Sequence, residues 1–480
     1  MNDHLFVWIY PAGGHSPVLC GALELLQGRR CLFSYDPSWL ERVDAFALSP
    51  DLPLQAGVYE PPDRFDIHPV FEDAGPDRWG KNIINKVFNP QRRSPLEYLE
   101  LAGENRIGAL GFSRSASEYD VAVGASFHRV DLPDLIRASE SLSLQMPIND
   151  DLRRLLRPGS SAGGARPKSV IKHNNEDWIA KFPSAEDECD VCAIEHASLL
   201  LAKMCGIRVA DSELLKVGDR NVLLVKRFDR ENDGRVHFAS ARTLLIADGV
   251  KEGLMGYADM ADIARRLSSS PKENCHELFR RMVFNVLIEN ADDHEKNHAF
   301  LYRQGEWELS PAYDVLPQRQ GLGFHQMRIG KDGNVAKIRN LLSECDRFLL
   351  RPVEAKFIVK DMYGHIAQWR EVFAQAEVSV RDIDLCARYV LGDSIFRFGE
   401  KPVNSIAPSN RCYSGKVVAV DGEHIYQSIG RNVFVEFERA KIGGLILPEA
   451  EMDIQYGNGD VSIHQPEPAV KDVGVSFGMR

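Results

Sequence analysis

A chain of 480 residues is longer than one ordinary hydrophobic core requires, so two or three domains are expected. With 44% hydrophobic and 26% charged residues it reads as soluble and globular, and a formal net charge of −11 argues against nucleic acid as a bulk electrostatic partner. No apolar run has membrane-spanning length, "LFVWIY" is too short for a signal-peptide core, and nine scattered cysteines suit reduced thiols in a cytoplasm.

In chain order, residues 1–115 read as a strand-rich unit. "HLFVWIY" and "RCLFSY" alternate with Gly/Pro turns, "GPDRWGKNIINKVF" starts a helix, and "ENRIGALGF" returns to a strand. Residues 116–238 carry a short helix, "LPDLIRASESL", and then the Gly/Ser-rich "RPGSSAGGARPKS". Next comes "VIKH-NNED-WIAKF", two strands around a four-residue turn. "DVCAIEHASLLLAKMCG" is a helix stopped at Gly206, and "NVLLVKRFD" is a strand. Its Cys189, Cys192 and His196 lack the second pair that a zinc site needs, so they read as ordinary helix residues.

Residues 239–400 turn helical, with Phe279, Met282, Val283, Val286 and Leu287 at helical spacing, and Ile358, Met362, Ile366, Trp369 and Phe373 likewise. Residues 405–480 hold short strands split by "DG", "GR" and "GNGD". The expected fold is α+β: a strand-rich lobe, a helical lobe, and a small all-β module.

The stretch "NADDHEKNHAF" admits two chemistries. From His294 it spells H-E-x-x-H, the pattern of zinc proteases, which requires a helix to bring both imidazoles to one face. The preceding helix meets "NADD", whose side chains favour loops, and no third ligand follows at a recognised spacing. From Asp292 it spells D-x-x-x-x-N, the spacing of a kinase catalytic loop. Asp314, in "LSPAYDVLP", follows 22 residues after Asp292, beyond a predicted hairpin. An acid beside the nucleophile, with an Asn and an Asp to hold magnesium, is what phosphoryl transfer asks of a protein. Asp292, Asn297 and Asp314 supply those types in that order, and hard oxygen ligands suit Mg2+.

Upstream, Gly163, Gly164 and Ala165 are small enough for backbone amides to approach phosphate, and Lys168 follows them. Lys181 lies in the second strand of the next hairpin, where a kinase keeps the lysine that reaches the nucleotide phosphates. Glu195 on the following helix is its candidate partner. His294 is expected to brace the catalytic loop.

Together "GGARPKS", "WIAKFPS", "VKRFDR", "FNVLIENADDHEKNHAF" and "LSPAYDVLP" resemble the HipA family of bacterial serine/threonine kinases, toxins of toxin–antitoxin pairs. "GPDRWG" and "ENRIGALGF" resemble that family's N-terminal subdomain. The resemblance implies a two-lobed, protein-kinase-like fold that binds ATP and Mg2+ and phosphorylates protein hydroxyls, with aminoacyl-tRNA synthetases among the targets. It implies a helix-turn-helix antitoxin as partner, so that DNA is met only indirectly, and no membrane. By motif, Asp292 would be the base, Asn297 and Asp314 the magnesium ligands, and Lys181 the phosphate contact. Lys226 and Phe228 would lie at the adenine-facing hinge. Ser161, or Ser160 beside it, would be autophosphorylated, and a phosphate there would repel the nucleotide phosphates. Arg166, Pro167 and Asp293 depart from the best-known member's pattern. The last eighty residues resemble the KfrB module. A small-molecule phosphotransferase and a non-catalytic pseudokinase that docks an antitoxin remain alternatives.

Overall fold

The computed structural model describes residues 3–11, 14, 16–120, 127–146, 166–231, 234–318, 323–430, 432–457 and 460–464. The first unit is a four-stranded antiparallel sheet in the order Arg30–Tyr35, Val18–Leu26, His4–Ile9, Leu110–Ser113. Along Val18–Leu26 the side chains alternate as a half-buried strand must: Leu23 and Leu25 face the core, Glu24 and Leu26 face solvent. Phe33, Trp39, Phe71 and Phe112 fill that core. Gly21 admits no side chain, since a Cβ would stand 2.3 Å from the Ser34 carbonyl.

The second unit is a five-stranded sheet in the order Phe127–His128, Lys168–His173, Glu176–Lys181, Arg220–Lys226, Ser212–Val217. Its hairpin turns on two residues rather than the expected four. Asn174 and Asn175 both take left-handed backbone, with φ of 52° and 63°. That is the two-residue turn matching strand twist, and asparagine tolerates it. The helix Leu132–Ser143 covers one face through Leu132, Leu135 and Ile136 against Ile171 and Trp178. On the other side lies the helix Val191–Met204, whose Asp190 caps it by accepting from the Ala193 amide at 3.0 Å.

The helical lobe is built from Tyr257–Leu267, Pro271–Leu287, Pro352–Ile366 and shorter helices around one large core. It carries a three-stranded sheet, His237–Ser240 with Ala299–Arg303 and Glu306–Leu309. A boundary at residue 238 would cut the strand His237–Ser240, which belongs with this lobe because its pairing partner does.

The last unit is a six-stranded sheet over Ser405–His464 around Val417, Ile425, Val435, Phe437 and Ile454. Tyr413 and Tyr426 are buried in it, and Tyr426 donates its hydroxyl to Asp421 at 2.9 Å, so they are packing residues. Leu445 and Leu447 of this module pack against the core of the helical lobe. No described helix is long and apolar enough to cross a membrane.

Candidate active site

The helix Pro271–Leu287 ends at Glu289, whose φ is 56°, and the Asn290 amide closes the turn onto the Asn285 carbonyl at 2.8 Å. A loop with a single 3-10 turn, Glu295–Asn297, then leads through extended His298 into the strand Ala299–Arg303. The H-E-x-x-H residues therefore lie off any α-helix. His298 instead faces Asp293, its Nε2 3.0 Å from the carboxylate.

Asp293 is the centre of a buried network. It also accepts from the Tyr257 hydroxyl, which accepts from Asn285 at 2.9 Å, and Asn285 accepts from Asn290 at 3.2 Å. Burial pushes the Asp293 pKa up, but the His298 ring and the bonds from His298 and Tyr257 outweigh it and hold the carboxyl below its ordinary value. Among the described residues His294 makes no side-chain hydrogen bond, and its Nδ1 is buried without a partner there.

Beside this anchor, Asp292 is exposed and accepts from the side-chain amide of Gln326. Partial desolvation raises its pKa. His294 opposes that shift, while the negative charges of Asp314 and Asp293 add to it. Asn297 is 5% exposed, and its Oδ1 has no hydrogen-bond partner among the described residues. A buried amide oxygen left bare is costly in a protein interior and is a ready ligand for a hard cation.

Asp314 has a left-handed backbone, φ 57°, which puts its carboxylate into the space between the lobes. Lys181 meets it there: the ammonium donates to Asp314 Oδ1 at 2.8 Å and to Glu195 Oε1 at 2.6 Å. The predicted Lys181–Glu195 pair is thus formed. Burial opposes charge on Lys181, but Asp314 and Glu195 outweigh it and raise its pKa. Burial pushes Glu195 up, and Lys181 together with the neighbouring cations holds Asp314 below its ordinary value.

Lys168 lies close enough for its charge to act on Asp314, and it forms a buried ion pair with Asp77 at 3.0 Å. Trp79 of the same "GPDRWG" stretch donates its ring N–H to the Lys168 carbonyl at 3.1 Å. The N-terminal unit therefore holds the strand that follows the glycine-rich segment. It also clamps the segment 227–230, which follows the strand Arg220–Lys226. Asp229 Oδ2 accepts from the Gly108 amide at 2.7 Å and from Arg227 and Arg230, both of which also donate to the Arg106 carbonyl. Lys226 pairs with Glu176 at 2.7 Å, and Phe228 packs on Tyr313 with ring centroids 5.3 Å apart. Gly163, Gly164, Ala165, Ser160 and Ser161 lie outside the described residues.

Sequence reasoning missed Gln326, Asp77 and the Gly108–Asp229 clamp. Asp77 and Gly108 stood in quoted motifs, but nothing local signals what they touch. No group of three or more His, Cys, Asp or Glu side chains among the described residues could hold a metal. A cation here would rest on the mixed Asn297 and Asp314 oxygens.

The chain matches the HipA N-terminal domain over residues 16–113, the HipA-like C-terminal domain over 160–370, and the KfrB domain over 412–465. It is 25% identical over 309 residues to Y4mE of Sinorhizobium fredii, a provisionally named kinase, spanning 59% of this chain and 71% of that protein. Over 315 residues it is 22% identical to the serine/threonine-protein kinase toxin HipA of Shewanella oneidensis, spanning 59% and 69%. Over 174 residues it is 27% identical to the toxin YjjJ of Escherichia coli, spanning 33% and 38%. A chain of the solved Shewanella oneidensis complex of HipA, HipB and operator DNA superposes with a TM-score of 0.59 at 17% identity, over 78% of this chain and 93% of that one. The fold is accordingly the two-lobed, protein-kinase-like α+β fold, followed by a β module.

Proposed function

Because the chain belongs to the HipA family, we propose that it is an ATP- and magnesium-dependent serine/threonine protein kinase, the toxin of a type II toxin–antitoxin pair. The observation that carries the reading is the convergence of Lys181, Glu195 and Asp314 at one point between the lobes, with the charges of Asp292 and Asp314 close enough to interact.

The chemistry follows from that set. The acceptor hydroxyl oxygen attacks the terminal phosphorus of ATP, the bond from phosphorus to the ADP oxygen breaks, and the hydroxyl proton passes to Asp292. Gln326 orients that carboxylate, and the Asp293–His298 pair fixes the loop behind it. Lys181 would hold the α/β-phosphates, with Glu195 keeping its ammonium in place. Asn297 and Asp314 would hold magnesium, which when bound neutralises charge developing on the phosphate oxygens. Residues 160–169 would cover the phosphates, Lys226 and Phe228 would flank the adenine, and Ser161 or Ser160 would take an autophosphate.

The target is proposed to be a cytoplasmic protein, with aminoacyl-tRNA synthetases the first candidates. The neutralising partner is proposed to be a helix-turn-helix antitoxin that brings DNA with it, since the solved relative is found with HipB and operator DNA. Phosphoproteomics after induced expression of the parent chain and of Asp292→Asn tests the reading. Serine or threonine phosphosites on a cytoplasmic protein are expected with the parent alone. ATP turnover without protein phosphosites would leave a small-molecule kinase, and no turnover would leave a binding protein.

A further inference from the structure

A groove of about 520 Å³ runs between the helical lobe and the C-terminal β module, and it shares no lining residue with the phosphotransfer site. Lys331, Arg339 and Lys356 project from the helical lobe, and Lys416 from the module. Only Lys416 has a carboxylate partner among the described residues, Glu449 at 3.2 Å on the groove rim. Three unpaired cations converging on one concavity stand out in a chain whose net charge is −11. Like charges repel, so the cluster raises the energy of the empty groove and lowers it again when an anion enters.

The walls are built rather than loose. Buried Asn340 holds the loop that carries Lys331: it accepts from the Asp332 amide at 2.8 Å and donates to the Gly333 and Val335 carbonyls at 3.0 Å each. The Lys331 amide donates to Ser343 at 2.9 Å. Opposite, Phe398 exchanges backbone hydrogen bonds with Val420 at 3.0 and 2.8 Å. Gly399 then passes so close that a Cβ would meet the Val418 carbonyl at 2.3 Å. Leu342 and Phe398 supply an apolar floor.

We infer that this groove is a binding site for a compact metabolite bearing two or more phosphates. Its volume is that of a small-ligand site. The chain's net charge of −11 also opposes a long nucleic acid backbone, which would extend beyond the groove. The site would give the β module a purpose that the catalytic reading leaves open, because the ligand would bridge the module and the helical lobe.

The test uses the full chain carrying Lys181→Met, in EDTA, so that neither catalysis nor magnesium contributes. Calorimetric titration with inorganic pyrophosphate is expected to show one-to-one binding. Arg339→Glu and Lys356→Glu should each weaken it about 10-fold or more, as loss of a charge-assisted contact predicts, while Arg339→Lys keeps most of it. These side chains are solvent-facing, so circular dichroism melts should match the parent. Absence of pyrophosphate binding, or binding indifferent to both reversals, would overturn the site. So would tighter binding of a short labelled DNA duplex through the same residues. The outcome is independent of whether the protein transfers phosphate.

Discussion

Lys181 Nζ stands 2.8 Å from Asp314 Oδ1 across 133 residues of sequence. One lies on a strand of the sheet-rich lobe, the other in the segment after the strand Glu306–Leu309, and their contact joins the two lobes at the proposed phosphotransfer site. Glu195 makes the lysine a shared donor between two acids. Glu195 is buried and Lys181 mostly so, while the Asp314 side chain keeps a partly solvated edge, so it is the Glu195 charge that most needs the lysine.

Removing the lysine should therefore cost stability as well as activity. Lys181→Met leaves Glu195, 3% exposed, without its cation, and breaking one side of a buried pair costs roughly 3–5 kcal/mol. Denaturant unfolding should show that loss. Lys181→Met with Glu195→Gln should recover much of it and transfer no phosphate. A double variant no more stable than the single would show that the pair is not the source.

The Asp293 network makes a pH-dependent prediction. The Asp293 carboxyl is held below its ordinary 3.8 because His298 and Tyr257 outweigh burial. A depressed carboxyl pKa contributes stability that is present above the unfolded value and is lost as pH falls through the folded one. Asp293→Asn should thus lower the melting temperature at neutral pH, and the gap to the parent should narrow below about pH 4. An equal gap at both pH values would remove the carboxylate's charge from the explanation.

Asp229 is 1% exposed and serves Arg227, Arg230 and the Gly108 amide at once. Asp229→Ala would leave two guanidinium groups and an amide short of an acceptor. A loss of roughly 3–5 kcal/mol is expected, with the N-terminal unit loosened from the segment 227–230. Hydrogen exchange should report this as faster exchange at Gly108, whose amide donates to the Asp229 carboxylate, and at Val236, whose amide donates to the Asp229 backbone carbonyl that the carboxylate contacts hold in place. Unchanged protection at both would refute the clamp.

What the sequence revealed was local. The D-x-x-x-x-N spacing, the hairpin strand that carries Lys181, and the helix that carries Glu195 are each encoded within a dozen residues, and all are found. The β module was legible from turn dipeptides between short apolar runs. Contacts between distant side chains were not. Gln326 lies in "GFHQMRIG", which has no periodic or motif signal, yet its amide reaches Asp292. The spacing of His294 and His298 could not say which ring meets Asp293. It is His298, 2% exposed where the chain enters the strand Ala299–Arg303, that meets Asp293, while His294 is only half-buried. Asp293 itself read as a departure from the family pattern, and only its partners show that it stiffens the loop.

Asp292 and Asp314 should fail in different ways. Asp292 is exposed and, among the described residues, accepts from Gln326 alone, so Asp292→Asn keeps the shape of the site and removes the proposed proton acceptor. Loss of a positioned base costs roughly 10²–10⁴-fold in rate, while Mg-ATP should bind nearly as before. Asp314→Asn removes an anionic oxygen from the proposed metal site and one of the two carboxylate partners of Lys181, so nucleotide binding should weaken along with turnover. Calorimetry with a non-hydrolysable ATP analogue, run beside a transfer assay, separates the two. The pH profile adds a sign. The base works only when deprotonated, and desolvation with the charges of Asp314 and Asp293 raises the Asp292 pKa. The acid limb of kcat/KM should therefore lie above that of an ordinary aspartate, with activity falling as pH drops through it. Asp314→Asn takes away one of the charges that raise this pKa, so whatever activity remains should have its acid limb at lower pH. Full transfer activity in Asp292→Asn would sink the assignment of the base, whatever the metal site does.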